Sequence, residues 1–118
     1  MAGIVIADAS PLIALARVNG LIWLQALFGH ALVTQAVAGE VLTGQFPSTE
    51  ASIQQAISAG WLQLVENPAQ GPALPDLDEG EATSLRLALI CASKSLVLMD
   101  ERAGRSVARE LGVEVAGT

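Results

Sequence analysis

Short apolar runs alternate with stretches of helical periodicity along this chain, and that alternation sets the expected fold. Ile4 to Ala7 is an unbroken run of strand length, closed by Asp8. Ser10-Pro11 follows as a helix start, with Ser10 expected at the N-cap and Pro11 at the first helical position. Leu12, Leu15 and Ala16 keep helical spacing until Asn19-Gly20 stops it. "LIWLQALF" (21–28) reads as a second short helix ended by Gly29, and "ALVT" (31–34) as a second strand. A helix is expected over 35–43, ending at Gly44, and another from Pro47 through Ile53, Ala56 and Ile57 to Gly60. "WLQLVE" (61–66) alternates apolar and polar residues, as a half-exposed edge strand does.

Residues 67–77, "NPAQGPALPDL", form a proline-rich loop. A helix over about 79–93, a strand "SLVLM" (95–99), a helix from Glu101 to Leu111 and a strand "VEV" (113–115) complete the pattern. Strands separated by helices imply an α/β fold, a parallel sheet covered on both faces. Neither side of the loop has a complete core alone, so residues 1–118 are expected to form one domain. The chain stops at a strand's end, where a further helix is expected.

Composition narrows what such a fold can do. No apolar run approaches the ~18 residues of a membrane span, because Arg17, Asn19 and Gly20 interrupt the richest region. Without an export signal and with one cysteine, Cys91, the chain is expected in the cytoplasm. His30 is the only histidine, which excludes zinc sites needing two. A net charge of −6 excludes a bulk electrostatic grip on nucleic acid, and two tryptophans with two phenylalanines make a poor stacking platform. Nucleic-acid chemistry would therefore rest on a local site.

Carboxylates supply one. In open parallel sheets, ligands bind beyond the carboxyl ends of the strands. Asp8 and Asp100 each follow a strand directly, so both are expected at that rim. Glu40 shares a helix stripe with Val37 and Val41, and Glu81 one with Leu85, Ala88, Leu89 and Ala92. Each has a plainer reading: Asp100 as cap of a helix from Glu101, Asp78 and Glu81 as a capping box, Glu40 as an edge side chain. Jointly they suggest a metal, because converging carboxylates repel one another unless a cation joins them. Oxygen-only ligation suits Mg²⁺ or Mn²⁺, which can activate water against a phosphodiester.

The ordered motifs "DASPLI" (8–13), "GEV" (39–41), "LDEGEATSLRLA" (77–88) and "DERAGRSVARELGVEVAGT" (100–118) resemble the PIN domain. More closely, they are similar to its PIN-like subgroup of predicted nucleic-acid-binding, VapC-like toxins. The resemblance implies a three-layer α/β/α sandwich with a parallel central sheet and metal-dependent hydrolysis of single-stranded RNA. It also implies a toxin–antitoxin setting with a small antitoxin protein as partner. Carried over, Asp8, Glu40, Glu81 and Asp100 match the acidic quartet that binds Mg²⁺ or Mn²⁺ and catalyses. Asp8 and Asp100 would be the firmest ligands, with Ser10 holding Asp8 or a metal-bound water; Asp78 and Glu101 would stand behind them. Members of the subgroup run on by several tens of residues into a final helical region, which this chain is expected to lack. Apolar surface uncovered there would favour a homodimer.

Rival readings fare worse or differ in class. A response-regulator receiver needs an acceptor Asp after a middle strand and a late Lys. The only lysine is Lys94, and no Asp lies between Asp8 and Asp76. Neither Gly-x-Gly-x-x-Gly nor a P-loop is present. A catalytically inactive PIN-like binding module stands as the alternative. Arg102, Arg105 and Arg109 share one helix face beside Asp100, as phosphate contacts or as a solvated face pairing with Glu101 and Glu110.

Overall fold

A computed structural model describes residues 3–91 and 94–117. Four-residue apolar runs become the inner strands: β1 (Ile4–Ala7), β2 (Ala31–Thr34) and β4 (Ser95–Leu98). β3 (Leu62–Val65) and β5 (Glu114–Ala116) are the edges of one five-stranded sheet, ordered β3-β2-β1-β4-β5. Every pairing is parallel, with Ile6 opposite Leu32 and Val97, Val33 opposite Leu64, and Val97 opposite Val115. The alternating "LQLV" segment takes the edge because Gln63 and Leu64 can face solvent there.

Between the strands run α1 (Ala9–Arg17), α2 (Leu21–Phe28), α3 (Gln35–Val41), α4 (Pro47–Ala59), α5 (Glu79–Ile90) and α6 (Arg102–Glu110). Side chains of β1 alternate between two cores, as the pleat requires. Val5 and Ala7 pack with Leu12, Leu24, Val37 and Ile53 from α1 to α4. Ile6 joins Leu85 and Ala88 of α5 and Ala108 of α6 on the opposite face. The result is a three-layer α/β/α sandwich with a parallel central sheet, as the resemblance implies. No single helix among the described residues is long and apolar enough to cross a membrane.

Boundaries shift by a residue or two: β3 covers Leu62–Val65 rather than 61–66, β4 ends at Leu98 rather than Met99, and β5 covers Glu114–Ala116 rather than 113–115. Helix α1 starts at Ala9 with Asp8, not Ser10, in the N-cap position, because Asp8 already has the extended backbone of a cap. Helix α3 ends at Val41, two residues short of the expected 43, with Leu42 as its C-cap. Helix α6 starts at Arg102 with Glu101 as N-cap, so Asp100 is not the cap. Of the stripe expected on α5, Leu85 and Ala88 are buried and Leu89 is exposed. Ala92, and the end of the helix expected to reach 93, lie outside the described residues.

Candidate functional site

Strand β1 carries Asp8 to the carboxyl edge of the sheet. There its amide donates to the Leu98 carbonyl at 2.9 Å, which extends the β1–β4 ladder by one residue. Although Asp8 occupies the cap position, its side chain makes no capping hydrogen bond to α1. The residue is 2% exposed, and Oδ1 is buried without a hydrogen-bond partner among the described residues. An isolated buried carboxylate oxygen is costly in its charged form. Local structure does not explain it.

Glu81 divides its two oxygens between two tasks. Asp78 Oδ1 accepts from the Glu81 amide at 2.8 Å, and Glu81 Oε1 accepts from the Asp78 amide at 3.2 Å. That is a closed capping box, and it anchors the first turn of α5. Glu81 Oε2 is buried and has no partner among the described residues. It faces α6, where a Cβ on Gly104 would stand 3.2 Å from it. The plainer reading of Glu81 is therefore correct and incomplete at once.

Glu40 does not share the buried stripe of α3. Val37, Ala38 and Val41 take that face, and Glu40 is exposed at its margin. From there its carboxylate reaches α5, with both oxygens 2.6 Å from where a Cβ on Gly80 would stand. Only glycine allows this approach with Glu40 where it stands. Neither Gly80 nor Gly104 was legible as a site residue, because close packing of a backbone leaves no periodic trace.

A buried chain of hydroxyls holds α5 over the sheet. Thr83 Oγ1 donates to the Glu79 carbonyl at 2.7 Å, which uses its one proton. Thr34, the last residue of β2, therefore donates to Thr83 Oγ1 across 2.9 Å and accepts from the Val37 amide at 3.3 Å. One relay thus ties β2, α3 and α5 together at the rim that carries Glu40 and Glu81. Sequence reasoning missed it too, since Thr34 and Thr83 lie 49 residues apart.

The acids at this rim perturb one another. Burial pushes Asp8 up to about 7, against the opposing Ala9 amide, and Glu81, Asp78 and Glu40 add to the rise. Glu40 is raised by partial burial and by Asp78, with the Gly80 amide opposing and Glu81 adding. Glu81 is raised by burial, against the Asp78 amide, with Asp78 and Glu101 adding repulsion. Three acids are thus held toward their protonated forms, the condition a cation would relieve.

Asp100 stands apart from this group. It is exposed and lines a cleft with Arg102, Arg105, Ser106 and Arg109. A Cβ on Gly117 would stand 3.1 Å from Asp100 Oδ1 and 3.3 Å from Arg105 Nη1, so both groups face one spot. Glu101, not Asp100, is the α6 acid that acts on Glu81. Ser10 sits half-buried within the first turn of α1. Among the described residues, no three His, Cys, Asp or Glu side chains stand together closely enough to hold a metal ion.

The donor chemistry nevertheless fits a hard divalent cation. Asp8 Oδ1 and Glu81 Oε2 are buried, oxygen-bearing and unpartnered, and Glu40 supplies a further carboxylate at the same rim. Compared with known proteins, residues 4–118 match the family model described as PIN domain. No curated protein matches the chain.

Proposed function

The chain belongs to the PIN domain family, and on that premise we propose that it is a metal-dependent endoribonuclease acting on single-stranded RNA. PIN domains are generally nucleases and typically use divalent metals, which gives the hydrolase class its support. The observation that carries the reading for this chain is the pair of buried, unpartnered oxygens on Asp8 and Glu81. Mg²⁺ or Mn²⁺ would be held by Asp8 and Glu81, with Glu40 direct or through water and Asp100 completing the set from the segment between β4 and α6. When bound, such an ion polarises a phosphoryl oxygen and supplies hydroxide at neutral pH.

The protein's own groups would do the rest. Capping through Oε1 fixes the Glu81 carboxylate, leaving Oε2 as its free donor atom. The Thr34–Thr83 relay keeps the first turn of α5 against β2, and the Leu98 carbonyl keeps Asp8 in register. Ionised Asp8 is the form that binds metal, so binding would release a proton near neutral pH. We place the protein in the cytoplasm as the toxin of a toxin–antitoxin pair, with a small antitoxin protein covering the site. The exposed Ile22, Trp23 and Leu27 of α2 offer apolar surface to such a partner or to a second copy.

A second reading has its own observation. Asp100 stands among the α6 arginines, and no three candidate ligands converge among the described residues. A catalytically inactive PIN-like binding module would look like this. Cleavage of a 5′-labelled single-stranded RNA with Mn²⁺, compared between this chain and Asp8→Asn, separates the two. The nuclease reading expects metal-dependent cleavage that the variant loses. Intact RNA under every divalent metal with both proteins leaves the binding module.

A further inference from the structure

The acidic rim cannot by itself explain how a chain of net charge −6 holds a polyanion. The cations answer that question by their placement. Of the six Lys and Arg residues in the chain, three lie on α6: Arg102, Arg105 and Arg109. All three line a single cleft of about 570 Å³, together with Ser106 and Asp100. Glu101 and Glu110, the ion-pair partners the sequence pattern offers them, do not pair with them among the described residues. Arg102 and Arg109 are exposed and Arg105 is half-buried. The α6 arginines are therefore solvent-facing and not neutralised by the glutamates of their own helix among the described residues.

Position gives the cleft a direction. Gly104 lies between Arg102 and Arg105, and a Cβ there would stand 3.2 Å from Glu81 Oε2. The first turn of α6 thus abuts the candidate metal centre. From Arg102 to Arg109 the stripe runs about 10 Å along the helix axis, away from that centre. The remaining cations lie elsewhere: Arg86 is bound to the Pro72 carbonyl, Arg17 lies over the Phe46 ring, and Lys94 precedes β4.

We propose that the Arg102–Arg105–Arg109 cleft is the phosphate track of this protein, gripping the backbone of a single-stranded nucleic acid on one side of the acidic rim. The proposal deepens the nuclease reading, since it names how the same site takes its substrate. Guanidinium groups on one face contact phosphates without reading bases, so the grip is salt-dependent and indifferent to sequence. Asp100 lines the track with the arginines, and Gly104 joins the track to the rim at Glu81. A strand seated on the arginines therefore passes from a cationic surface directly to the carboxylates.

The test is fluorescence anisotropy of a labelled oligouridylate with the full chain, over a range of salt concentrations and without divalent metal. The Asp8→Asn background prevents cleavage during the measurement. Arg102→Gln, Arg109→Gln and their double variant are compared with Lys94→Gln, and thermal melts confirm that each is folded. The slope of log Kobs against log salt should fall by roughly 0.7 for each arginine removed. Arg109→Lys should restore it, and Lys94→Gln should leave it unchanged. An unchanged slope and affinity in the double variant would overturn the proposal, as would failure of the parent chain to bind RNA at all. Mn²⁺ affinity in otherwise wild-type Arg102→Gln and Arg109→Gln reports on the metal centre separately. Loss of the track with Mn²⁺ binding intact is thus distinguishable from failure of the nuclease reading.

Discussion

Gly80 and Glu40 occupy each other's space: a Cβ on Gly80 would stand 2.6 Å from both oxygens of the Glu40 carboxylate. The contact joins α3 to the first turn of α5, and it holds a third acid within electrostatic reach of Asp8 and Glu81. Because the obstructing atoms are the far end of a flexible side chain, alanine at position 80 would displace Glu40 rather than the helix.

Gly80→Ala should therefore separate stability from metal binding. Alanine at a backbone position it can adopt stabilises by about 0.4–1 kcal/mol over glycine by restricting the unfolded chain. A thermal melt should show stability unchanged or slightly raised, while calorimetry shows Mn²⁺ affinity reduced several-fold. Equal metal affinity in the two proteins would remove Glu40 from the candidate site.

Asp8 makes the metal-free protein pH-sensitive in an unusual direction. Its folded pKa, about 7, lies above the ordinary 3.8, so the folded state holds more protons between these values. Stability from this group is complete below about pH 4 and is lost as pH rises through 7. The loss is on the order of 4 kcal/mol. Glu50, whose pKa is lowered by the Phe46 and Gly44 amides, acts oppositely but only in more acidic solution. Urea midpoints without metal should thus fall between pH 5 and pH 8, and saturating Mn²⁺ should reverse the trend.

Asp8→Asn removes the charge while keeping the shape. Without metal at pH 8 it should melt higher than the wild type, since no buried anion needs to be accommodated. With Mn²⁺ at 100 times its dissociation constant, the wild type should gain about 2.7 kcal/mol and the variant nothing. A variant that melts lower in both conditions would mean that Asp8 is structural.

Thr34→Val breaks the relay at its centre. Thr83 loses a donor and the Val37 amide loses its capping acceptor, with a cost of about 1–3 kcal/mol. Thr34→Ser should recover most of it. Chemical denaturation measures both, and weaker Mn²⁺ binding by the valine variant alone would show that the relay positions Glu81.

Much of this architecture was legible because burial imposes a period. "IVIA", "ALVT" and "SLVL" form the inner strands that their continuous apolarity implies, and "LQLV" forms an edge. Strand order was not legible, since β1 pairs with β4 across most of the chain. The carboxylates were found by their place after strands and near helix starts. Their surroundings were not, because the Thr34–Thr83 bond and the contacts at Gly80 and Gly104 are long-range. Asp100 shows the limit most clearly: it was expected directly after the strand, but β4 ends two residues earlier at Leu98, and its surroundings are the arginines of α6.

A metal centre at this rim requires the unpartnered oxygens of Asp8 and Glu81 to be ligands. Calorimetric titration of Mn²⁺ into the wild type, Asp8→Asn and Glu81→Gln tests this most directly. We predict saturable binding by the wild type, accompanied by proton release near pH 7, and its loss in both variants. Binding that survives both substitutions, or none by the folded wild type, would contradict a metal centre at this rim.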